Sequence, residues 1–359
     1  MCPWLGKGDG GRNERGMEME GDRRMVKGKA FSLLSGGLDS LLATRLIMAQ
    51  GIRVVGLHFI TPFFGYHRKG QEARSQERWR KLYGIEARIV DVSEEYFQVL
   101  RNPRHGYGKN FNPCIDCKVF LFSKARGLME EEKADFLISG EVLGQRPMSQ
   151  RRDTMRIVER DSGADGILLR PLCAQLLKPT RAETEGLVDR SKLLSMTGRG
   201  RKPQMALAER MGIRHYPTPA GGCLLTDPEL AGRVRKFFTQ SPQVSVDEIL
   251  LLQVGRHFQL SEDRHLVVGR REEENNRLLE LFREGDTLLR VHGIPGPLGL
   301  FRGREEEKGL ELAASIVARY SKAKDQERVE VRYGKNGETF DGRFFVSPAR
   351  DDQISTLRY

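Results

Sequence analysis

Ser35-Gly-Gly-Leu-Asp-Ser40 follows the apolar run Lys29 to Leu34 and precedes a helical pattern, Leu41 to Gln50, that Gly51 ends. The order is strand, glycine loop, helix. At such a junction backbone N–H groups and the positive end of the helix dipole meet, which suits an anion. Gly36 and Gly37 let the chain curl without a Cβ in the way, and Ser35 and Ser40 add hydroxyl donors. A carboxylate facing phosphates would be repelled, so Asp39 reads as a group that orients magnesium or pyrophosphate. The Gly-Lys-Ser/Thr ending of a Walker loop is absent.

Working outward, Arg53 to Ile60 and Ala87 to Val92 read as further strands, with the charged helix Gln71 to Leu82 between them. Cys114 to Glu132 reads as a helix, Asp135 to Ser139 as a strand, Ser149 to Glu159 as a helix and Ile167 to Leu172 as a strand. This alternation predicts an α/β fold with a parallel sheet over residues 29–175. Residues 176–240 read as a basic, mainly helical extension, interrupted by Tyr216-Pro-Thr-Pro-Ala-Gly-Gly-Cys223. Beyond a boundary placed near 240, short strands (His265 to Val268, Thr287 to Val291, Val329 to Tyr333) and a helix from Gly309 to Lys322 predict a smaller α+β unit over 241–359.

Composition narrows the class. Hydrophobic residues make up 38% and charged residues 30% of the 359, as in soluble globular proteins, and no apolar run has the length of a membrane span. Residues 1–28 lack the apolar stretch of a secretory signal and are expected to be a disordered tail, with Met17, Met19 or Met25 as alternative starts. A cytoplasmic protein without membrane attachment is expected. The net charge of +11 is uneven: 241–359 hold 19 Lys and Arg against 21 Asp and Glu, a net of −2, leaving +13 for the first 240 residues. Arg190 to Lys202 has five basic and no acidic residues, so Arg199, Arg201 and Lys202 are candidates for contacting phosphates of a polyanion.

Five cysteines, an odd number, argue against a disulfide framework. Asn112-Pro-Cys-Ile-Asp-Cys-Lys118 puts Cys114 and Cys117 on one side of a helix start, where the dipole would favour a thiolate. Cys223, in a flexible glycine loop, is placed to close over the same site. Three thiolates can hold a [4Fe–4S] cluster with one iron open. Alternatively Cys117 and Cys223 form a persulfide relay without a metal, or zinc binds with His105 or His215.

With its SGGxDS loop beside the first strand, the chain resembles the PP-loop ATP pyrophosphatases, which cleave ATP between the α and β phosphates. The resemblance implies the parallel fold of the adenine nucleotide alpha hydrolases (HUP class), with ATP and Mg2+ as cofactors. Joined to the cysteines, it looks like the tRNA thiolation branch. Ser139-Gly-Glu-Val-Leu-Gly-Gln-Arg-Pro-Met-Ser-Gln150 resembles the GExLGQxxSQ segment of the 4-thiouridine synthases, and Leu169-Arg-Pro-Leu172 the strand after it. That likeness implies that Gly140, Glu141 and Gln145 line the ATP and target-base pocket and that Arg146 faces anionic groups. With the glycine loop beginning at Ser35, the resemblance is not expected to extend to the N-terminal ferredoxin-like and tRNA-tail-binding domains of the standard synthase.

Gly255-Arg-His-Phe258, Val267-Val-Gly-Arg270, Glu274-Asn-Asn276, Ile294-Pro-Gly-Pro-Leu298 and Ala318-Arg-Tyr-Ser-Lys-Ala-Lys324 resemble the RNA-binding domain of NFACT proteins. By that resemblance Arg256, His257, Arg270, Arg319, Lys322 and Lys324 are the expected RNA contacts. The implied activity is a tRNA sulfurtransferase that adenylates a uridine carbonyl oxygen and replaces it with sulfur, giving 4-thiouridine. A 2-thiouridylase and a small-molecule PP-loop ligase are the alternatives. The implied partners are tRNA and a sulfur donor, free sulfide or a cysteine desulfurase persulfide, with a homodimer also among the expectations.

Overall fold

The computed structural model describes residues 27–216, 222–304, 306–337 and 339–359. The expectations for the tail up to residue 26 and for residues 217–221 of the Pro-Gly loop lie outside these. Five strands, β1 (Lys29–Leu33), β2 (Arg53–Ile60), β3 (Glu86–Asp91), β4 (Phe136–Ser139) and β5 (Leu168–Leu169), form a parallel sheet in the order β3-β2-β1-β4-β5. Around it lie α1 (Leu38–Met48), α2 (Glu72–Tyr83), α3 (Ser93–Arg101), α4 (Cys114–Glu131) and α5 (Arg152–Ser162).

Both faces of the sheet are covered, as parallel sheets require. Alternation along the strands sends Ala30, Val54, Phe136 and Ile138 toward α1, where Leu38, Leu41 and Leu42 meet them. It sends Phe31, Val55, Leu57 and Leu137 the other way, onto Phe122, Ala125 and Met129 of α4 and Val158 of α5. The chain runs from β1 outward to β3 and then crosses to the far side of β1 as β4. The strand order therefore reverses between β1 and β4, and their carboxyl ends frame the crevice where ligands of open α/β sheets bind.

The extension contains α6 (Arg181–Thr184), α7 (Lys202–Arg210) and α8 (Pro228–Gln240), followed by α9 (Val246–Leu252). Much of 176–201 is irregular instead of helical, in a stretch that carries Pro179, Gly186, Gly198 and Gly200. β5 is also shorter than the expected Ile167 to Leu172, because Pro171 has no N–H to offer a ladder.

The C-terminal sheet is antiparallel, in the order β11-β10-β8-β9-β7-β6, from β6 (Arg256–Ser261), β7 (Arg264–Val268), β8 (Thr287–Val291), β9 (Gly299–Gly303), β10 (Val329–Gly334) and β11 (Gly342–Val346). α10 (Glu272–Glu280), α11 (Glu307–Arg319) and α12 (Asp351–Ser355) complete it. α11 covers one face through Leu310, Ala313, Ala314 and Val317. β6, β9 and β11 escape a reading by pattern: β9 is Gly-Leu-Phe-Arg-Gly, with glycine at both ends.

α9 serves two cores. Leu250 and Leu251 pack with Val267, Leu288 and Leu300 of the C-terminal sheet, while Ile249 and Leu252 join Phe63, Tyr96, Phe97, Phe111 and Leu225. Gln253, just past it, donates to the Pro62 carbonyl at 2.8 Å. No helix among the described residues is long and apolar enough to cross a membrane.

Candidate active site

The loop from Ser35 to Ser40 lies at the mouth of the crevice. Gly36 has φ +80°, a left-handed conformation that glycine adopts without strain. Ser35 Oγ accepts from Gly37 N–H at 3.3 Å and donates to Ser40 Oγ at 3.2 Å, so the loop is braced from within. Opposite stands Gly140, just beyond β4. A Cβ on Gly140 would fall 2.5 Å from the Ser40 nitrogen and 2.6 Å from the Asp39 carbonyl carbon. Only glycine permits this approach, which brings the segment after β4 against the start of α1.

That segment carries the remaining contacts. Gln145 Nε2 donates to Asp39 Oδ2 at 3.0 Å, and Arg201 Nη2 lies 3.7 Å from Asp39 Oδ1. Glu141, expected to line the ligand pocket, is instead buried and fully engaged. Lys118 Nζ holds one carboxylate oxygen, Arg170 Nε holds the other at 2.8 Å, and Arg170 also bonds Glu159. Burial would raise the Glu141 pKa, but the two cations outweigh it and hold the carboxyl at about 2. Lys118 donates to the Ser149 carbonyl at 3.0 Å as well. Two cations and two carboxylates thus fix both ends of the 140–149 segment to α4 and to the end of β5.

His58 reaches the strand before the loop. Its Nδ1 donates to the Leu34 carbonyl at 2.6 Å, and burial lowers its pKa from 6.5 to about 4. The ring is a neutral acceptor whose Nε2 is buried without a hydrogen bond. Asp116 accepts the backbone N–H groups of Arg104 and His105 at 3.0 Å each, which ties that loop to α4.

The cysteines lie next to the far end of the same segment. Cys114 and Cys117 occupy the first turn of α4, and Cys117 and Cys223 pack against the Phe63, Tyr96 and Phe111 cluster. Leu224 N–H donates to the Phe63 carbonyl at 2.9 Å, and Asn112 Nδ2 donates to Cys114 Sγ at 3.1 Å. The expected dipole-stabilised thiolate does not describe Cys117. Burial pushes its thiol up to about 12 against a hydrogen bond with Tyr96, and the charges of Cys223 and Cys114 raise it further. Cys223 is pushed up to about 11 by burial, with Arg146 pulling the other way. Cys117 thus feels the charges of both other cysteines, and Cys223 that of Cys114.

Among the described residues, no three His, Cys, Asp or Glu side chains converge as the ligands of a single metal ion do. The histidines considered for zinc are occupied or elsewhere. His105 bonds Asp161 at 2.9 Å, and the His215 carbonyl accepts from Tyr83, whose ring belongs to the α1 core.

Of the expected RNA contacts, Arg146, Arg199, Lys202, Arg270, Lys322 and Lys324 are exposed. Arg270 Nη2 also donates to the Gly255 carbonyl at 2.7 Å, and Arg256 lies over the Tyr320 ring, 4.7 Å from its centroid. Arg319 is paired with Asp351 at 2.7 Å. His257 is inside the domain, 5% exposed, stacked on His265 and bonded to it at 3.0 Å. Its place is internal packing, because β6 turns that side chain inward. Lys118 and Arg170 were not singled out as site residues, though one follows Cys117 directly and the other lies in Leu169-Arg-Pro-Leu172.

The family model of the thiamine biosynthesis protein ThiI matches residues 25–176, and that of the NFACT protein RNA-binding domain matches residues 255–358. The two matches lie on separate parts of the chain, the first over the parallel-sheet region and the second over the antiparallel one. A probable tRNA sulfurtransferase of Thermococcus kodakarensis is 29% identical over 151 residues, 41% of this chain and 37% of that protein. The chain spans about a third of the length of the curated relatives it matches first. Among solved structures, a 4-thiouridine synthetase–RNA complex with bound ATP is 20% identical, with a TM-score of 0.40, covering 63% of this chain and 52% of that one. The U34-tRNA thiolase NcsA of Methanococcus maripaludis with its [4Fe–4S] cluster is 18% identical, with a TM-score of 0.31, covering 64% and 75%. The residues matched by the ThiI model include the glycine loop, Cys114, Cys117, Gly140 and Gln145.

Proposed function

We propose that this chain is an ATP-dependent tRNA sulfurtransferase, acting on a uridine carbonyl oxygen. Residues 29–175 would bind ATP with Mg2+, 176–240 would bring Cys223 to the site, and 241–359 would hold RNA. The observation that carries this reading is the span of one segment: Gln145 bonds Asp39 of the glycine loop while the Ser149 carbonyl accepts from Lys118, the residue after Cys117. On this reading nucleotide chemistry and sulfur chemistry would share one crevice.

In the first step the uridine oxygen bonds to the α-phosphorus and the bond from that phosphorus to the β-phosphate oxygen breaks, its electron pair leaving on pyrophosphate. The backbone amides at Gly36 and Gly37 and the Ser35 and Ser40 hydroxyls are the groups suited to hold the phosphates. In the second step sulfur bonds to the activated carbon and AMP departs with the original oxygen. Cys114, Cys117 and Cys223 are the groups suited to deliver that sulfur. These three cysteines are also the residues that would hold a [4Fe–4S] cluster, which would supply an open iron to carry sulfide. The high thiol pKa values of Cys117 and Cys223 mean that either use requires their protons to leave.

Anaerobic purification with iron, sulfide and zinc analysis, together with thionucleoside analysis of tRNA incubated with ATP and sulfide, tests the reading. About four irons per chain, lost in Cys117→Ser, with thiouridine formed by the wild type, is the expected result. Thiouridine without iron would leave the relay in place of the cluster. Failure to form thiouridine in the iron-loaded protein, with sulfide and desulfurase persulfide each supplied, would reject the sulfurtransferase.

A further inference from the structure

Arg201 belongs to the basic run at 190–202, yet it does not stand free as an RNA contact would. Arg190 in that run is bound to Glu183 and to the Ala174 and Leu177 carbonyls, and Lys192 pairs with Asp189. Arg201 turns into the crevice. The chain before it is tied to the segment after β4, since the Thr197 hydroxyl and the Gly198 N–H both donate to the Leu143 carbonyl, at 3.0 and 2.8 Å. Gly144 and Gly198 lie in ordinary contact, a Cβ on Gly144 falling 3.6 Å from the Gly198 nitrogen. The start of α7 is thereby held beside Gln145 and Asp39.

Three polar atoms at this place are buried without a hydrogen bond: Asp39 Oδ1, Gln145 Oε1 and Arg201 Nε. At 3.7 Å the Arg201–Asp39 pair is an electrostatic contact and not a hydrogen bond. Buried groups left in this way are costly, and a cluster of them beside a glycine loop is fitted to a polar ligand. A guanidinium offers a planar fork that matches phosphate oxygens.

We infer that Arg201 is the residue that receives the pyrophosphate half of ATP, deepening the ATP-cleaving assignment above, on which it rests. In this structure it faces Asp39 at 3.7 Å. With ATP present its fork faces the β- and γ-phosphates, where negative charge grows as the α-phosphorus transfers to the uridine oxygen. Arg201 is then a leaving-group residue, and RNA contact in this run falls to the exposed Arg199 and Lys202.

Calorimetric titration of the full chain tests this, using wild type, Arg201→Ala and Arg201→Lys with AMP, pyrophosphate, α,β-methylene ATP and a tRNA transcript, all in Mg2+. In Arg201→Ala, affinity for pyrophosphate and for the ATP analogue should fall on the order of tenfold or more, about the loss of one charge-assisted contact. Affinity for AMP should change less than about twofold on the same scale, and Arg201→Lys should recover part of the loss, as a point charge without the fork. Equal weakening of AMP and the ATP analogue would overturn the assignment. So would unchanged ATP-analogue binding with weaker tRNA binding, which would make Arg201 an RNA contact. A wild type that binds no ATP analogue would instead remove the nucleotide reading itself, a result distinct from a variant that binds as well as the wild type.

Discussion

The two ends of the crevice are built on opposite principles. At the nucleotide end Asp39, Gln145 and Arg201 present buried polar atoms that lack partners, held in place by a tight glycine approach and a four-membered ion network. At the sulfur end Cys117 and Cys223 sit in an aromatic cluster that keeps them protonated. On the function proposed above, one end has its geometry set for a charged ligand, and the other keeps its thiols protonated until something takes their protons. The contrast separates preorganisation, which speeds binding chemistry, from masking, which protects reactive thiols.

The largest test of this contrast removes the carboxylate at the polar end. Asp39→Ala should lower RNA-dependent pyrophosphate release on the order of 10²- to 10³-fold, the scale of losing one charge-stabilising group. Full release in the variant would mean that Asp39 does not serve the nucleotide. Next, Lys118→Met leaves Glu141 with one cation. Breaking a buried pair costs about 3–5 kcal/mol, which thermal unfolding should show as a clear drop in midpoint, with weaker ATP binding because Gly140 and Gln145 lose their brace. An unchanged midpoint would show that Arg170 alone suffices. The smallest expected effect concerns the sulfur end. In metal-free protein, iodoacetamide should modify Cys117 and Cys223 far more slowly than a free thiol at pH 8, and the rate should climb as pH rises toward the values of about 12 and 11 at which these thiols ionise. Rapid labelling at pH 8, followed by mass spectrometry of the peptides, would remove the masking.

What was legible in the sequence was local. Ser35 to Ser40 declares itself because strand, loop and helix are contiguous, and the C-x-x-C declares itself by spacing. What stayed hidden depends on partners far apart in the chain. Glu141 looks like a ligand contact until Lys118 and Arg170 are seen to consume both its oxygens. Arg201 looks like part of an RNA-binding run until the crossing of 197–198 over Leu143 turns it inward. The dipole at the start of α4 suggests a thiolate, and only the packing of Phe63, Tyr96 and Phe111 shows that burial prevails. β9 lacked a signal because its neighbours β7 and β8, and not its own two glycines, make it a strand.

α9 carries a consequence of its own. Because successive residues of this one helix turn, Ile249 and Leu252 toward one core and Leu250 and Leu251 toward another, neither core can melt without stripping the helix from its neighbour. The parallel and antiparallel sheets are thus thermally coupled, a single cooperative unit in which damage near the antiparallel sheet is felt at the wall behind the thiols.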